Sequence, residues 1–237
     1  MRDIEYLKKY YKGNIEDAIK RLNNGEPVQY IVGNVDFYNS NFIVNKNVLI
    51  PRFETEELVQ NTINFIKEYF NKQVKVLDIG TGSGAIAVSI KKDIDSIVYA
   101  TDISKEALEV AKENAKRNNV NINFVNTNIY DGIKEKFDVV ISNPPYIRHD
   151  EEIDEIVKKN EPHSALYADN NGLYFYEEIL KNIKSILNNN YLIAFEIGKD
   201  QGEEINKLKD KYLPESNILL KKDLEGRDRM IFIHNFE

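Results

Sequence analysis

Two short stretches and one aspartate of this 237-residue chain stand out as candidate ligand-binding or reactive groups. In Asp78-Ile79-Gly80-Thr81-Gly82-Ser83-Gly84, glycines at every second position follow an apolar run and precede a helical pattern. They let the backbone turn tightly and approach a ligand more closely than a side chain would allow. Asp102 closes the next apolar run, where a carboxylate can accept hydrogen bonds from both hydroxyls of a ribose. Asn143-Pro144-Pro145-Tyr146 directly follows the run Phe137 to Ser142. Asn143 offers a side-chain carbonyl and Pro144 a backbone carbonyl, which together could take both N–H groups of a primary amide or exocyclic amine. The prolines fix the backbone and remove competing donors, and Tyr146 could stack on the flat group. A nitrogen of that kind has a delocalised lone pair, so it reacts only when held in position.

The elements that must position these residues alternate along the chain. Ile4, Leu7 and Tyr11, then Ile15, Ala18, Ile19 and Leu22, predict two short amphipathic helices. Val28 to Val32 leads into a hairpin of Val35–Tyr38 and Phe42–Val44 about Asn39-Ser40-Asn41. A helix is expected from Arg52 to about Phe70, with Thr55 and its flanking acids suited to the N-terminus. Strands at 74–79, 97–102, 122–125, 137–142 and 191–197 then alternate with helices at 85–91, 104–118, 173–187 and 200–212. That alternation argues for a parallel sheet with helices on both faces and right-handed crossovers. The end, 217–220 and 230–233 about Glu225-Gly226-Arg227-Asp228, predicts an antiparallel hairpin.

Composition narrows the class. With 42% apolar residues the chain can bury a substantial core. No run of about 18 apolar residues is present and the start, Met1-Arg2-Asp3-Ile4-Glu5-Tyr6, lacks the pattern of a signal peptide, so no membrane association and a cytoplasmic location are expected. There is no cysteine, and His149, His163 and His234 are dispersed, so no metal site is expected. The net charge of −7 opposes non-specific attraction to phosphate backbones.

The nature of the ligand follows from the glycines. A nicotinamide dinucleotide site would read Gly-x-Gly-x-x-Gly; here the third glycine comes one residue early and Asp78 precedes the first. Two carboxylates suit a cation-bearing nucleoside better than a pyrophosphate. The arrangement resembles that of class I methyltransferases, whose ligand S-adenosylmethionine carries a sulfonium and leaves as S-adenosylhomocysteine. The Asn-Pro-Pro-Tyr turn occurs in methyltransferases of adenine N6, guanine N2 and glutamine side chains alike, so it leaves the substrate open.

Other segments carry a closer resemblance. They are Gln29-Tyr30-Ile31 with Gly33 and Phe37, Ile50-Pro51-Arg52-Phe53-Glu54-Thr55-Glu56, Ile86-Ala87, Glu161-Pro162 with Ala165-Leu166, Gly172-Leu173, Glu196-Ile197-Gly198 with Gln201, and Asp223-Leu224 with Gly226-Arg227. Together they resemble the release-factor glutamine methyltransferase family, enzymes that methylate N5 of the glutamine in the Gly-Gly-Gln loop of peptide chain release factors. The resemblance implies a class I methyltransferase fold of class α/β: a Rossmann-like, mostly parallel seven-stranded sheet with a C-terminal antiparallel hairpin, plus a small N-terminal helical region and β-hairpin. It implies a helical cap and hairpin linker over 1–50 and the methyltransferase domain over 51–237. Asn143, Pro144, Pro145 and Tyr146 would hold the glutamine amide. Asp78, Gly80, Thr81, Gly82, Ser83, Gly84, Asp102, Asn128 and Asn143, with Arg52, Glu54 and Thr55 closing one side, would hold S-adenosylmethionine. The expected partner is a release factor, with the enzyme a monomer and no nucleic-acid substrate; the alternative is an N6-adenine or N2-guanine methyltransferase of DNA or RNA. Three positions depart from the family pattern: Phe53 replaces a proline, Asn128 stands where aspartate is common, and only 28 residues precede Gln29.

Overall fold

The computed structural model describes residues 3–236; Met1, Arg2 and Glu237, at the ends of the expected 1–50 and 51–237 division, lie outside them. Helices α1 (Asp3–Tyr10) and α2 (Ile15–Asn23) come first, the second capped by Asn14, whose Oδ1 accepts from the Glu16 and Asp17 amides. Val28–Val32, expected only as an apolar lead-in to the hairpin, forms the short helix α3, ended by Gly33 in the left-handed conformation at φ 81°. The hairpin β1 (Asn34–Phe37) and β2 (Ser40–Ile43) follows. Helix α4 (Phe53–Tyr69) has Arg52 as its N-cap, so Phe53 occupies the first helical position. Proline is favoured there because its missing N–H costs no bond, and the helix starts at the same place with phenylalanine.

Next come β3 (Val74–Ile79), α5 (Ala85–Asp93), β4 (Ser96–Asp102), α6 (Lys105–Arg117), β5 (Asn123–Asn126), β6 (Phe137–Ser142) and α7 (Glu155–Asn160). Asp154 caps α7, whose residues are none of them buried, so the acidic run before it begins a solvated helix. A single turn α8 (Asp169–Gly172), α9 (Tyr174–Lys181), β7 (Leu187–Glu196), α10 (Gly202–Tyr212), β8 (Asn217–Lys222) and β9 (Asp228–His234) complete the described chain. The helix expected over 173–187 therefore stops at Lys181. A 3-10 turn at Ile183–Ser185 intervenes and β7 starts four residues before the expected Tyr191. Ile183, Ile186 and Leu187 are all buried in the same layer as α9, so their apolar spacing extends the helical pattern past the point where the backbone leaves it.

The seven-stranded sheet has the order β5-β4-β3-β6-β7-β9-β8. Strands β3 to β7 pair in parallel, while β9 pairs antiparallel with both β7 and β8, as expected from the sequence. Both faces are covered, which is why the central strands read as continuous apolar runs. Val74, Val76, Val139 and Ile141 pack with Leu58 and Ile63 of α4 and Ile86 of α5. Leu77, Ile79, Val140 and Ile193 pack on the other side with Ile179 of α9 and Ile205 of α10. The strand order reverses between β3 and β6, which opens a crevice at the carboxyl ends of those strands. No helix among the described residues is long and apolar enough to cross a membrane.

One buried side chain joins the N-terminal hairpin to this crevice. Asn114 of α6 is fully buried; its Nδ2 donates to the carbonyls of Ile43 and Ser83, both at 2.9 Å, and its Oδ1 accepts from the Ile43 amide at 2.7 Å. Asn114→Ala leaves three backbone groups without partners and is expected to cost about 2–4 kcal/mol. Urea unfolding followed by circular dichroism measures this; a loss below about 1 kcal/mol would mean that water replaces the amide.

Candidate active site

A cavity of about 360 Å³ lies at the strand-order reversal, a volume within the ~300–1,000 Å³ of small-molecule sites. The glycine turn forms its floor. Gly80, Gly82 and Gly84 have φ of 70°, 53° and 80°, a left-handed region unfavourable to other residues. Their surroundings separate their roles. A Cβ at Gly80 or Gly82 would meet nothing within 4 Å, whereas one at Gly84 would press on Ala111 of α6 at 3.1 Å. The first two thus keep backbone open to a ligand, and the third lets two helices pack closely.

Asp78 and Asp102 hold this turn from opposite sides. Asp78 does not line the cavity: it is fully buried beneath the turn, where its Oδ2 accepts from the Thr81 hydroxyl at 2.6 Å and the Ala87 backbone amide lies close enough to favour the ionised form. Burial pushes its carboxyl up to about 7. Asp102 does line the cavity, accepting from the Gly82 amide through Oδ2 and the Ser104 amide through Oδ1, both at 2.9 Å. Burial raises its pKa against these backbone bonds. Thr81 and Ser83 border the cavity beside it, and the exposed Asn128 comes from the segment after β5.

Asn143, Pro144 and Pro145, at the end of the neighbouring strand β6, form another wall of the cavity. Asn143 Nδ2 donates to Thr55 Oγ1 at 3.0 Å, and the Thr55 hydroxyl donates to Glu196 Oε2 at 2.6 Å. Thr55 thus lies inside the first turn of α4 with its hydroxyl committed to β7, and the capping role expected for it is replaced by this link. Tyr146 sits behind the wall, outside the cavity lining; its hydroxyl donates to Glu196 Oε1 at 3.3 Å and accepts from Arg229 Nη1 at 3.4 Å. Arg52 borders the cavity and is paired at 2.5 Å with the buried carboxylate of Glu161, which also accepts from the Ile50 amide at 3.0 Å. Glu54 is outside the lining, though its charge acts on both Tyr146 and Glu196.

Sequence reasoning missed part of the lining. Ile103 is 68% exposed beside Asp102 and offers the cavity an apolar face; Val48, Leu49 and Phe175 add further apolar surface. The one local signal was an isoleucine placed straight after the strand-ending acid. Neither Glu196 nor Arg229 carries a local signal of its role, because their partners lie far away in sequence. Among the described residues no group of three or more His, Cys, Asp or Glu could hold a metal ion.

A mostly parallel sheet ended by an antiparallel hairpin, with a glycine-floored cavity at its switch point, defines a class I methyltransferase. Residues 54–173 match the family model described as Methyltransferase small domain. A release factor glutamine methyltransferase from Streptococcus pneumoniae is 43% identical over 222 residues, covering 92% of this chain and 78% of that protein. One from Flavobacterium psychrophilum is 43% identical over 226 residues, covering 92% and 79%. Among solved structures, the release factor-specific protein-(glutamine-N5) methyltransferase from Alicyclobacillus acidocaldarius is 29% identical with a TM-score of 0.50, covering 81% of this chain and 98% of that one. The chain belongs to the release factor glutamine methyltransferase family.

Proposed function

We propose that this protein transfers a methyl group from S-adenosylmethionine to the side-chain N5 of the glutamine in the Gly-Gly-Gln motif of a peptide chain release factor. The observation that carries transfer to a planar N–H₂ group is the orientation of Asn143, and the choice of glutamine is supported by the 43% identity to a release factor glutamine methyltransferase over 92% of the chain. The Asn143 NH₂ is committed to Thr55, while its Oδ1 accepts no hydrogen bond among the described residues and so remains an acceptor for a substrate N–H. The cavity chemistry fits the cofactor: open backbone at Gly80 and Gly82, an acid at Asp102 for the ribose, and the apolar face of Ile103 for a purine. Asn128 would lie beside the adenine, Thr81, Ser83 and Arg52 would border the remainder, and Asp78, Gly84 and Glu54 would support from behind. Residues 51–237 are taken as the methyltransferase portion and 1–50 as its cap and linker.

When bound, S-adenosylmethionine supplies an electrophilic sulfonium methyl. Asn143 Oδ1 and the Pro144 carbonyl hold the two N–H groups of the glutamine amide, so that its nitrogen faces that methyl. As the nitrogen–carbon bond forms and the sulfur–carbon bond breaks, positive charge grows on nitrogen. Carbonyl dipoles already aimed at the N–H groups stabilise that charge without reorganising. The methylated nitrogen then loses one proton to water. No general base is required, because a protonated amide is strongly acidic.

Asp102→Asn replaces an anionic acceptor with a neutral one and is expected to weaken S-adenosylmethionine binding about tenfold by calorimetry. Unchanged affinity would remove Asp102 from the cofactor site. The function itself is tested by offering methyl-labelled cofactor separately with a release factor, duplex DNA and ribosomal RNA. Label is expected on the release factor alone; label confined to a nucleic acid would support the adenine or guanine reading instead.

A further inference from the structure

The buried carboxylate of Glu196 lies behind the Asn143–Tyr146 wall and has no place in the transfer step itself. We infer that Glu196 is a positioning residue that fixes both ends of the Asn-Pro-Pro-Tyr turn, setting through Thr55 which way the Asn143 amide faces. This rests on the proposed function, because it assigns Asn143 Oδ1 to the substrate.

The number of protons available fixes the orientation of each group. Thr55 has one hydroxyl proton, given to Glu196 Oε2 at 2.6 Å, so towards Asn143 it can only accept. Asn143 must therefore turn Nδ2 to Thr55, at 3.0 Å, and Oδ1 away from it. The other carboxylate oxygen accepts from Tyr146, whose own acceptor capacity is met by Arg229. An ionised acid at 196 accepts on both sides. A neutral amide or protonated acid must turn a donor to one of them. Turned to Thr55, that donor releases the threonine proton towards Asn143 and permits the amide to flip, presenting N–H to a substrate N–H. Turned to Tyr146, it meets a hydroxyl that already accepts from Arg229 and strands the tyrosine proton.

The groups facing Glu196 are Thr55 and Glu54 from α4, Tyr146 from the turn, Tyr176 from α9, whose hydroxyl donates to the Glu196 backbone carbonyl at 2.8 Å, and Arg229 from β9. Burial pushes the Glu196 carboxyl up to about 7, against the Thr55 hydrogen bond and the Arg229 charge. The working form is the ionised one, so turnover is lost as pH falls through about 7.

The test compares wild type, Glu196→Gln and Thr55→Val on a release factor. Glu196→Gln is expected to lower kcat at least about tenfold and to flatten its pH profile between about 6 and 8. S-adenosylmethionine affinity should stay within about threefold, because Glu196 does not border the cavity. Thr55→Val, which removes the relay and leaves the acid, should also lower kcat, with the double variant no slower than Glu196→Gln. Wild-type kcat and pH profile in Glu196→Gln, or additive losses in the double variant, overturn the inference. Should Glu196→Gln fail to fold, Thr55→Val and the side-chain exchange measurement decide, because burial also pushes the Asp78 carboxyl up to about 7 and the wild-type profile alone does not separate the two acids. The Asn143 side-chain amide is read separately in ¹⁵N-labelled protein without substrate. Its Nδ2 protons are expected to exchange with water faster in the variants than in wild type. Equal exchange in all three overturns the inference whatever the substrate is, whereas a wild type that methylates no release factor overturns the functional reading alone.

Discussion

Asn143→Ala is expected to lower kcat about 10³-fold, while S-adenosylmethionine binds within about threefold of its wild-type affinity. The substitution removes the acceptor assigned to one substrate N–H and leaves the other carbonyl in place. Part of the amide's orientation therefore goes, together with one of the two dipoles that meet charge growing on nitrogen. Asn143 lines the cavity at the end of β6, whereas Gly80, Gly82 and Asp102 line it from the ends of β3 and β4, so cofactor affinity should be spared; this assigns Asn143 to the substrate and sets aside the cofactor contact that the family resemblance implies for it. Thr55 would also lose its donor while keeping its bond to Glu196, which limits the structural cost. Single-turnover kinetics with saturating cofactor separates the two effects; a loss that appears only in cofactor affinity would move Asn143 out of its assigned role.

Gly172→Ala is expected to destabilise the fold as strongly as Asn114→Ala, by a steric clash instead of lost hydrogen bonds. Gly172 has φ 82°, and a Cβ there would sit on the Tyr146 carbonyl oxygen and 2.6 Å from Gln201 Nε2. That amide holds three backbone segments together, donating to the carbonyls of Tyr146 and Gly172 at 3.1 and 3.3 Å and accepting from the Gly198 amide at 2.8 Å. The methyl must push the clasp off the turn that carries Tyr146. A cost of about 2–4 kcal/mol follows, or a Tm lower by about 5–15 °C. Gly226 supplies the control: it has the same φ of 82° and nothing within 4 Å of a Cβ. Gly226→Ala should cost only about 1 kcal/mol of backbone strain. Equal losses at the two positions would show that strain alone, and not the close approach to Tyr146, accounts for the effect.

What could be read from sequence was what short stretches encode. The glycine turn, Asp102 and Asn143-Pro144-Pro145-Tyr146 are contiguous or end a strand, and the apolar strands alternate visibly with helices, so topology followed. In two places pattern and backbone part company. Val28 to Val32, with β-branched residues at 28, 31 and 32, carries no helical signal yet closes one helical turn against Gly33, and Ile183 to Leu187 keeps a helical spacing after the helix has ended. The supports of the site were illegible for a different reason. Thr55 meets Glu196 across 141 positions, and Tyr146 meets Arg229 across 83; no local periodicity records such a pairing. Asp78 was readable as an acid before a glycine, but only packing reveals that it lies under the turn rather than in the cavity.

The proposed function requires the methyl group to end on a glutamine side chain. Incubating the protein with S-adenosylmethionine and an unmodified release factor, then fragmenting the Gly-Gly-Gln peptide in a mass spectrometer, locates it. One added methyl is expected on the glutamine of that motif, and none when that glutamine is replaced by alanine. An unmodified glutamine, with the methyl recovered on adenine N6 or guanine N2 of added nucleic acid, would contradict the proposed function.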